Sequence, residues 1–279
     1  MTGTGKTVPC RVHILLARQS PVAVAIRRGP SKRVCTIGWD RRTDEFRVGQ
    51  WLKGRIFERR SDLSPDGRYL IYFAVNGKWR SPSRGSWTAI SRAPFLKAVG
   101  LWANGSCWNG GGLFTTSRSY WLNVFPFGHE ERLTPVGLLR DERPPFHEGY
   151  GSECPGVYYI RLQYDGWRLI ADNRVGSEAQ TVFEKYAPHG WTLEKAAHET
   201  TDHPVGKGCS FDTHRLRRGD GSKVLDLPDW EWADVDGKRL VWVTRGALHA
   251  AQLTIEGLER EKVLFDFNPL AFEELKAPY

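Results

Sequence analysis

The 279-residue chain has one methionine and no two cysteines close enough to form a Cys-x-x-Cys pair. Scarce Met argues against a helical bundle, where Leu, Ala, Glu and Met would carry the pattern. The five cysteines, at 10, 35, 107, 154 and 209, are odd in number and widely spaced. That excludes an orderly disulfide framework and fits a reducing compartment. Long apolar runs are also missing. The one patch near the start, Val12 to Ala17, is interrupted by His13 and is too short for a signal-peptide core or a membrane span. The expectation is a cytoplasmic, bacterial-type protein with no membrane partner. Charge of one sign does not dominate: 40 basic residues are mixed with 32 acidic ones along the whole chain, for a net +8. A solvated basic surface explains this balance as well as a polyanion partner does.

What the sequence does have is 12 Trp, 29 Gly and 16 Pro. Abundant aromatics with turn-forming residues favour short strands joined by tight turns. Strand signals come in pairs: VHILLA (12–17) with VAVAI (22–26), then VCTIGW (34–39), then FRVGQWL with RIFERR as a further hairpin. SDLSPDGRYLIYFAV (61–75) is the clearest unit, because Asp66-Gly67 is a strong turn dipeptide and the following strand is apolar on both faces. SWTAISR (86–92) follows, and VYYIRLQYDGWRLI (157–170) reads as a hairpin about Asp165-Gly166. TVFEKYA and WTLEKAA pair across Pro188-His189-Gly190, although Leu193, Ala196 and Ala197 also fit a helical turn. FDTHRLRRGDGSKVLDL (211–227), ADVDGKRLVWV and EKVLFDF (261–267) complete the set, and AFEELK suggests a short C-terminal helix.

SPDGRYLIYFA and DVDGKRLVWVT share an Asp-Gly turn, a basic residue and a run of β-formers. Ser64 to Gly67 and Tyr69 to Phe73 resemble the turn and strand of WD40-like and TolB-like β-propeller repeats. The Gly-His and Trp-Asp dipeptides of true WD repeats do not recur. The resemblance implies an all-β fold, a small β-propeller of five or six blades of antiparallel strands. Residues 1–10 are then a flexible N-terminus, 11–268 a single propeller domain and 269–279 a tail. A pair of smaller β domains split in the Pro-rich stretch at 140–156 is the alternative division.

The resemblance also implies a platform for contacts, so the main expectation is a non-catalytic binding or scaffolding module for a protein partner, without a cofactor. The loop segment LWANGSCWNGGGLFTTSRSYWLN carries this reading, because three consecutive glycines require close backbone approach or unusual φ/ψ. Aromatics with Arg make typical contact hot spots, so Trp102, Trp108, Arg118 and Trp121 are the candidates, joined by Arg28, Arg33 and Arg217 on basic turns. The competing reading places the tryptophans in the core. A second function is nucleic-acid binding through the basic stretches 27–33, 55–60 and 215–218.

A third is a hydrolase or lyase acting on carbohydrate at a propeller channel, a site that some propeller glycoside hydrolases use. That chemistry needs two carboxyl groups roughly 5–10 Å apart. Asp62, Glu153, Asp172 and Asp234 lie beside strand signals, and nothing in the sequence selects two of them. His203, Cys209 and His214 are weak metal candidates whose spacing matches no zinc knuckle. The opening TGTGKT lacks the upstream Gly and the preceding strand of a phosphate-binding loop. No G-x-S-x-G elbow is present.

Overall fold

The computed structural model describes residues 8–29, 32–124, 128–143, 150, 154–173, 180–200, 204 and 207–279. The described residues are predominantly β-strand, arranged in five open sheets, none of which closes on itself. It divides into two compact units, residues 13–165 with 271–279 and residues 8–12 with 166–270.

In the first unit, β1 (Arg11–Leu16), β2 (Val22–Arg28), β3 (Arg33–Asp40) and β4 (Glu45–Lys53) form one up-and-down sheet. β5 (Arg55–Leu63), β6 (Tyr69–Val75), β7 (Ser86–Arg92) and β8 (Ala98–Ala103) form the next. β9 (Gly112–Phe114), β10 (Ser119–Leu122) and β12 (Leu139–Arg140) make a small third sheet, while β11 (Glu130–Leu133) pairs outside β8. The expected hairpin of FRVGQWL with RIFERR is corrected: β4 pairs β3 and β5 pairs β6, so the chain changes sheets at Gly54. A Cβ there would meet the Val75 carbonyl oxygen at 2.5 Å, which explains glycine at the crossing.

β6 is buried on both faces, as the double-sided apolar run predicts. Leu70, Tyr72 and Ala74 pack with Val24, Ile26 and Ala89, while Ile71 packs with Ile90, Trp102 and Phe114. Gly67 takes φ +76°, the conformation for which the Asp-Gly turn selects.

VYYIRLQY is not a strand. It lies in α1 (Cys154–Tyr164), with Pro155 in the first turn, where its missing N–H costs nothing, and Gly166 at φ +85° just beyond the end. Every residue from Gly156 to Leu162 is buried, Arg161 included, so this stretch shows no polar outer face and no amphipathic period to distinguish it from a strand. AFEELK forms no helix either. Residues 271–279 run extended along β4 and the end of β7, with Phe272 against Trp51 and the Leu275 carbonyl accepting from Gln50 Nε2 at 2.8 Å. The Tyr279 hydroxyl donates to the Lys97 carbonyl at 2.7 Å.

The second unit contains two up-and-down sheets. One holds β13 (Arg168–Asn173), β14 (Gln180–Ala187), β15 (Trp191–Glu199), β16 (Ser210–Arg218) and β17 (Val224–Leu227). The other holds β18 (Trp232–Asp236), β19 (Arg239–Thr244), β20 (Ala247–Leu253) and β21 (Leu258–Asp266). WTLEKAA is the strand β15, not a helical turn, since β15 is paired along its whole length on both sides. Trp191 Nε1 donates to the Thr254 carbonyl at 2.8 Å, tying the two sheets together. Cys10, placed by its sequence in a flexible start, is buried, and its N–H donates to Asn268 Oδ1 at 3.0 Å. Residues 1–7 lie outside the described residues.

Candidate functional site

In the first unit, three chain segments converge on Arg18, which follows β1. Asp62 comes from the end of β5, Tyr164 ends α1, and Asp165 follows it. Arg18 Nη1 lies 3.5 Å from Asp62 Oδ1 and 3.3 Å from Asp165 Oδ1, and Nη2 donates to the Phe114 carbonyl at 2.9 Å. The other Asp62 oxygen, Oδ2, accepts the Phe114 N–H at 2.8 Å. This exchange with one β9 residue fixes both charged side chains. The guanidinium carbon stands 5.6 Å from the centre of the Tyr164 ring.

Burial separates the two carboxyls. The Asp62 side chain is 3% exposed and that of Asp165 is 17% exposed. Burial pushes the Asp62 carboxyl above the usual carboxylate range, with Arg18 pulling in the opposite direction. Arg18 opens onto a cleft of about 450 Å³ lined also by Gln19, Pro65, Thr115, Ser117 and Tyr164. Thr115 Oγ1 donates to Asp141 Oδ2, which brings a third carboxylate to this edge. The arrangement offers one cation, a buried acid, a more accessible carboxylate, an aromatic face and a row of hydroxyls.

Sequence reasoning named Asp62 and missed Arg18, Tyr164 and Asp165. Arg18 lies in what reads as a polar turn, and Tyr164-Asp165 reads as a hairpin tip, so neither carried a signal. Glu153 lies outside the described residues. Asp172 and Asp234 belong to the second unit, where Asp172 accepts from Thr181 Oγ1 at 3.0 Å and Asp234 from Lys185 Nζ at 2.7 Å.

The contact candidates do not form one surface. Trp102 is fully buried with Nε1 donating to Glu131 at 2.9 Å, and Trp121 packs with Leu113, Val157 and Ile160. Both are core residues, which corrects their assignment as binding residues. Trp108 is exposed. The glycines beside it serve close packing: a Cβ on Gly111 would collide with the Arg60 carbonyl, and one on Gly112 with the Trp121 carbonyl.

Arg118 is exposed in the turn before β10, Arg28 pairs with Glu58 at 3.0 Å, and Arg33 lies over the Phe272 ring. Arg217 belongs to the second unit and pairs with Glu184 at 2.8 Å. Within 55–60, Arg59 and Arg60 are buried and over aromatic rings, so they are withheld from a phosphate backbone. Among the metal candidates, Cys209 is exposed, His214 is buried, and His203 lies outside the described residues. No three His, Cys, Asp or Glu side chains gather as a metal set among the described residues. No described helix is long and apolar enough to cross a membrane.

No family model and no curated protein matches this chain. Several solved structures do. A hydrazine synthase from Kuenenia stuttgartiensis is 13% identical over 90% of this chain and 80% of its own, with a TM-score of 0.33. The GH43 protein BlXynB from Bacillus licheniformis is 11% identical over 98% of this chain and 60% of its own, with a TM-score of 0.32. An uncharacterized protein of Listeria monocytogenes EGD-e, lmo1340, is 10% identical over 92% of this chain and 67% of its own, with a TM-score of 0.26. This chain thus aligns with three fifths of the GH43 protein's length, and likenesses this distant assign it neither family nor activity.

The expectation that the chain is not an enzyme rested on missing motifs alone and is withdrawn, because Asp62 and Asp165 share one guanidinium beside an open cleft.

Proposed function

We propose that this chain is an enzyme acting on a carbohydrate substrate at the Arg18 cleft, with Asp62 and Asp165 as its carboxyl pair. The observation that carries this reading is that both carboxyls meet one guanidinium nitrogen beside an open cleft. Contacts of 3.5 and 3.3 Å to that nitrogen set an upper limit of roughly 7 Å on the separation of the two oxygens, a limit compatible with a glycosidase carboxyl pair. Their environments differ in the way an acid–base pair uses: burial pushes Asp62 toward its protonated form, while the Asp165 side chain is partly exposed.

Hydrolysis then follows simple bookkeeping of atoms. Asp62 gives a proton to the leaving oxygen, Asp165 takes one from water, and the water oxygen replaces the leaving group at the anomeric carbon. Displacement of Arg18 from its 3.5 Å contact is the step that brings Asp62 to substrate. Tyr164 supplies a flat face for a sugar ring, and Thr115 and Ser117 supply hydroxyls. The finer reading of the fold, a small propeller of five or six blades, belongs to the same proposal and is supported by three sheets that meander strand by strand and a fourth that does so from β5 to β8.

The test is a panel of aryl glycosides and oligosaccharides with the native chain, Asp165→Asn and Asp62→Asn. Turnover reduced at least a hundredfold in Asp165→Asn, with an unchanged thermal midpoint, is the expected result. No turnover and no saturable oligosaccharide binding by the native chain ends the proposal.

A further inference from the structure

The second unit holds a cleft of about 460 Å³ that the Arg18 site does not involve. Asp236, Lys238 and Arg239 line it around the β18–β19 turn, Ala250 and Ala251 on β20, and Arg260 and Lys262 on β21. Four cationic side chains thus face one carboxylate. Asp236 is already engaged, accepting from Arg239 Nε at 2.9 Å. The Lys238 and Arg260 side chains have no hydrogen-bond or ion-pair partner among the described residues. Ala250 and Ala251 add only small side chains to a lining otherwise dominated by long cationic ones.

The backbone beneath this cleft is built irregularly. Ala250 pairs with Lys262 and Gln252 with Glu259, so Arg260 and Glu261 both stand opposite the single residue Ala251. Arg260 takes φ +53°, the left-handed region in which such a bulge ordinarily carries glycine. A glycine would relieve that strain, yet an arginine occupies the position. Bulges re-aim side chains, and a non-glycine residue in left-handed geometry that gains nothing from it locally points to a role for the side chain.

We propose that this cleft binds a small phosphate-bearing anion, with Lys238 and Arg260 as the ligating residues and Lys262 and the Asp236-held Arg239 adding positive potential. Guanidinium and ammonium groups converging from two sides fit tetrahedral oxyanions, and Arg260 supplies the forked, bidentate donor. The two free cations set the charge of the ligand at two or more, so diphosphate chemistry fits better than a monoanion.

The experiment is isothermal titration of the full chain with inorganic pyrophosphate at low and moderate salt, alongside sodium sulfate. The expected result is one saturable site per chain, weakened by salt, with sulfate bound more weakly. Arg260→Gly separates function from folding, because it relieves the left-handed strain: its thermal midpoint should equal or exceed that of the native chain, while pyrophosphate affinity falls at least tenfold. Lys238→Gln should lower affinity by a similar factor. Arg215→Gln, an exposed arginine of β16 paired with Asp226, should leave it unchanged. Absence of saturable binding, or native affinity retained in Arg260→Gly and Lys238→Gln, overturns the proposal. Glycoside turnover at the Arg18 cleft does not enter any of these readouts.

Discussion

Arg18 in the first unit and Lys185 in the second each hold a buried aspartate, at 3.5 Å from Asp62 and 2.7 Å from Asp234. The two pairs are similarly buried, with cations 16% and 19% exposed and carboxylates 3% and 7% exposed. Their surroundings differ. Arg18 is shared with a second carboxylate, Asp165, and lies at a cleft. Asp234 instead accepts from Trp167 Nε1 at 3.4 Å, and Lys195 sits 4.4 Å from the centre of that same indole. His214 opposes Lys195 across β15 and β16, with its Nδ1 side bonded to the Trp230 carbonyl at 3.0 Å.

Burial pushes both titrating groups toward neutrality, but in opposite directions on the pH scale: the Asp62 carboxyl goes up, and the His214 imidazole goes down to about 3. Lys195 adds to the His214 shift. An ion pair next to open space and a spare carboxylate is equipped to exchange partners. A pair sealed among tryptophans is equipped to hold sheets together.

The most severe test of this contrast is to remove each acid in turn and follow urea unfolding. Asp234→Ala strands Lys185 beside buried Lys195, and breaking a buried pair of this kind costs about 3–5 kcal/mol. Asp62→Asn should cost less, about 1–3 kcal/mol, because Arg18 retains Asp165 and the Phe114 carbonyl. Equal losses at the two positions would remove the distinction.

Acid titration of the thermal midpoint refines it. His214 is depressed in the fold below its ordinary value of 6.5, so the unfolded chain takes up the proton first and stability falls as pH drops from about 6.5 toward 3. Asp62 is raised above 3.8, so its contribution runs the other way: it is fully present below 3.8 and lost as pH rises through the folded value. His214→Asn, whose amide can replace the Nδ1 donor, should flatten the acid loss, and Asp62→Asn should steepen it. The smallest effect belongs to Asp165→Asn. This partly exposed carboxylate should contribute under about 1 kcal/mol, while under the proposed function its removal should cut turnover at least a hundredfold.

Much of the β architecture was legible. β6 and β19 fall where runs of β-formers follow an Asp-Gly dipeptide, since Gly67 and Gly237 at positive φ turn the chain there, and β7 and β16 fall on the segments SWTAISR and FDTHRLRR. The errors share one cause. VYYIRLQY has the composition of a strand, and only its enclosure on all sides makes a helix there the better solution. FRVGQWL and RIFERR look like hairpin partners, but pairing is settled by which neighbour each edge meets. Of the candidate site, Asp62 was visible because it ends a strong strand. Arg18 and Asp165 were not, because their meaning is a contact between residues 147 positions apart.

The order of residues specified the turn positions and the strand-rich class, because these follow from local φ/ψ preference and side-chain shape, and it left Asp62 undistinguished among four carboxylates. Packing in three dimensions settled which strands pair, that Trp102 and Trp121 are core while Trp108 is exposed, and which charges meet. Those outcomes depend on burial and on distances between residues remote in the chain, and the free energy of a charge is set by its surroundings more than by its neighbours in sequence.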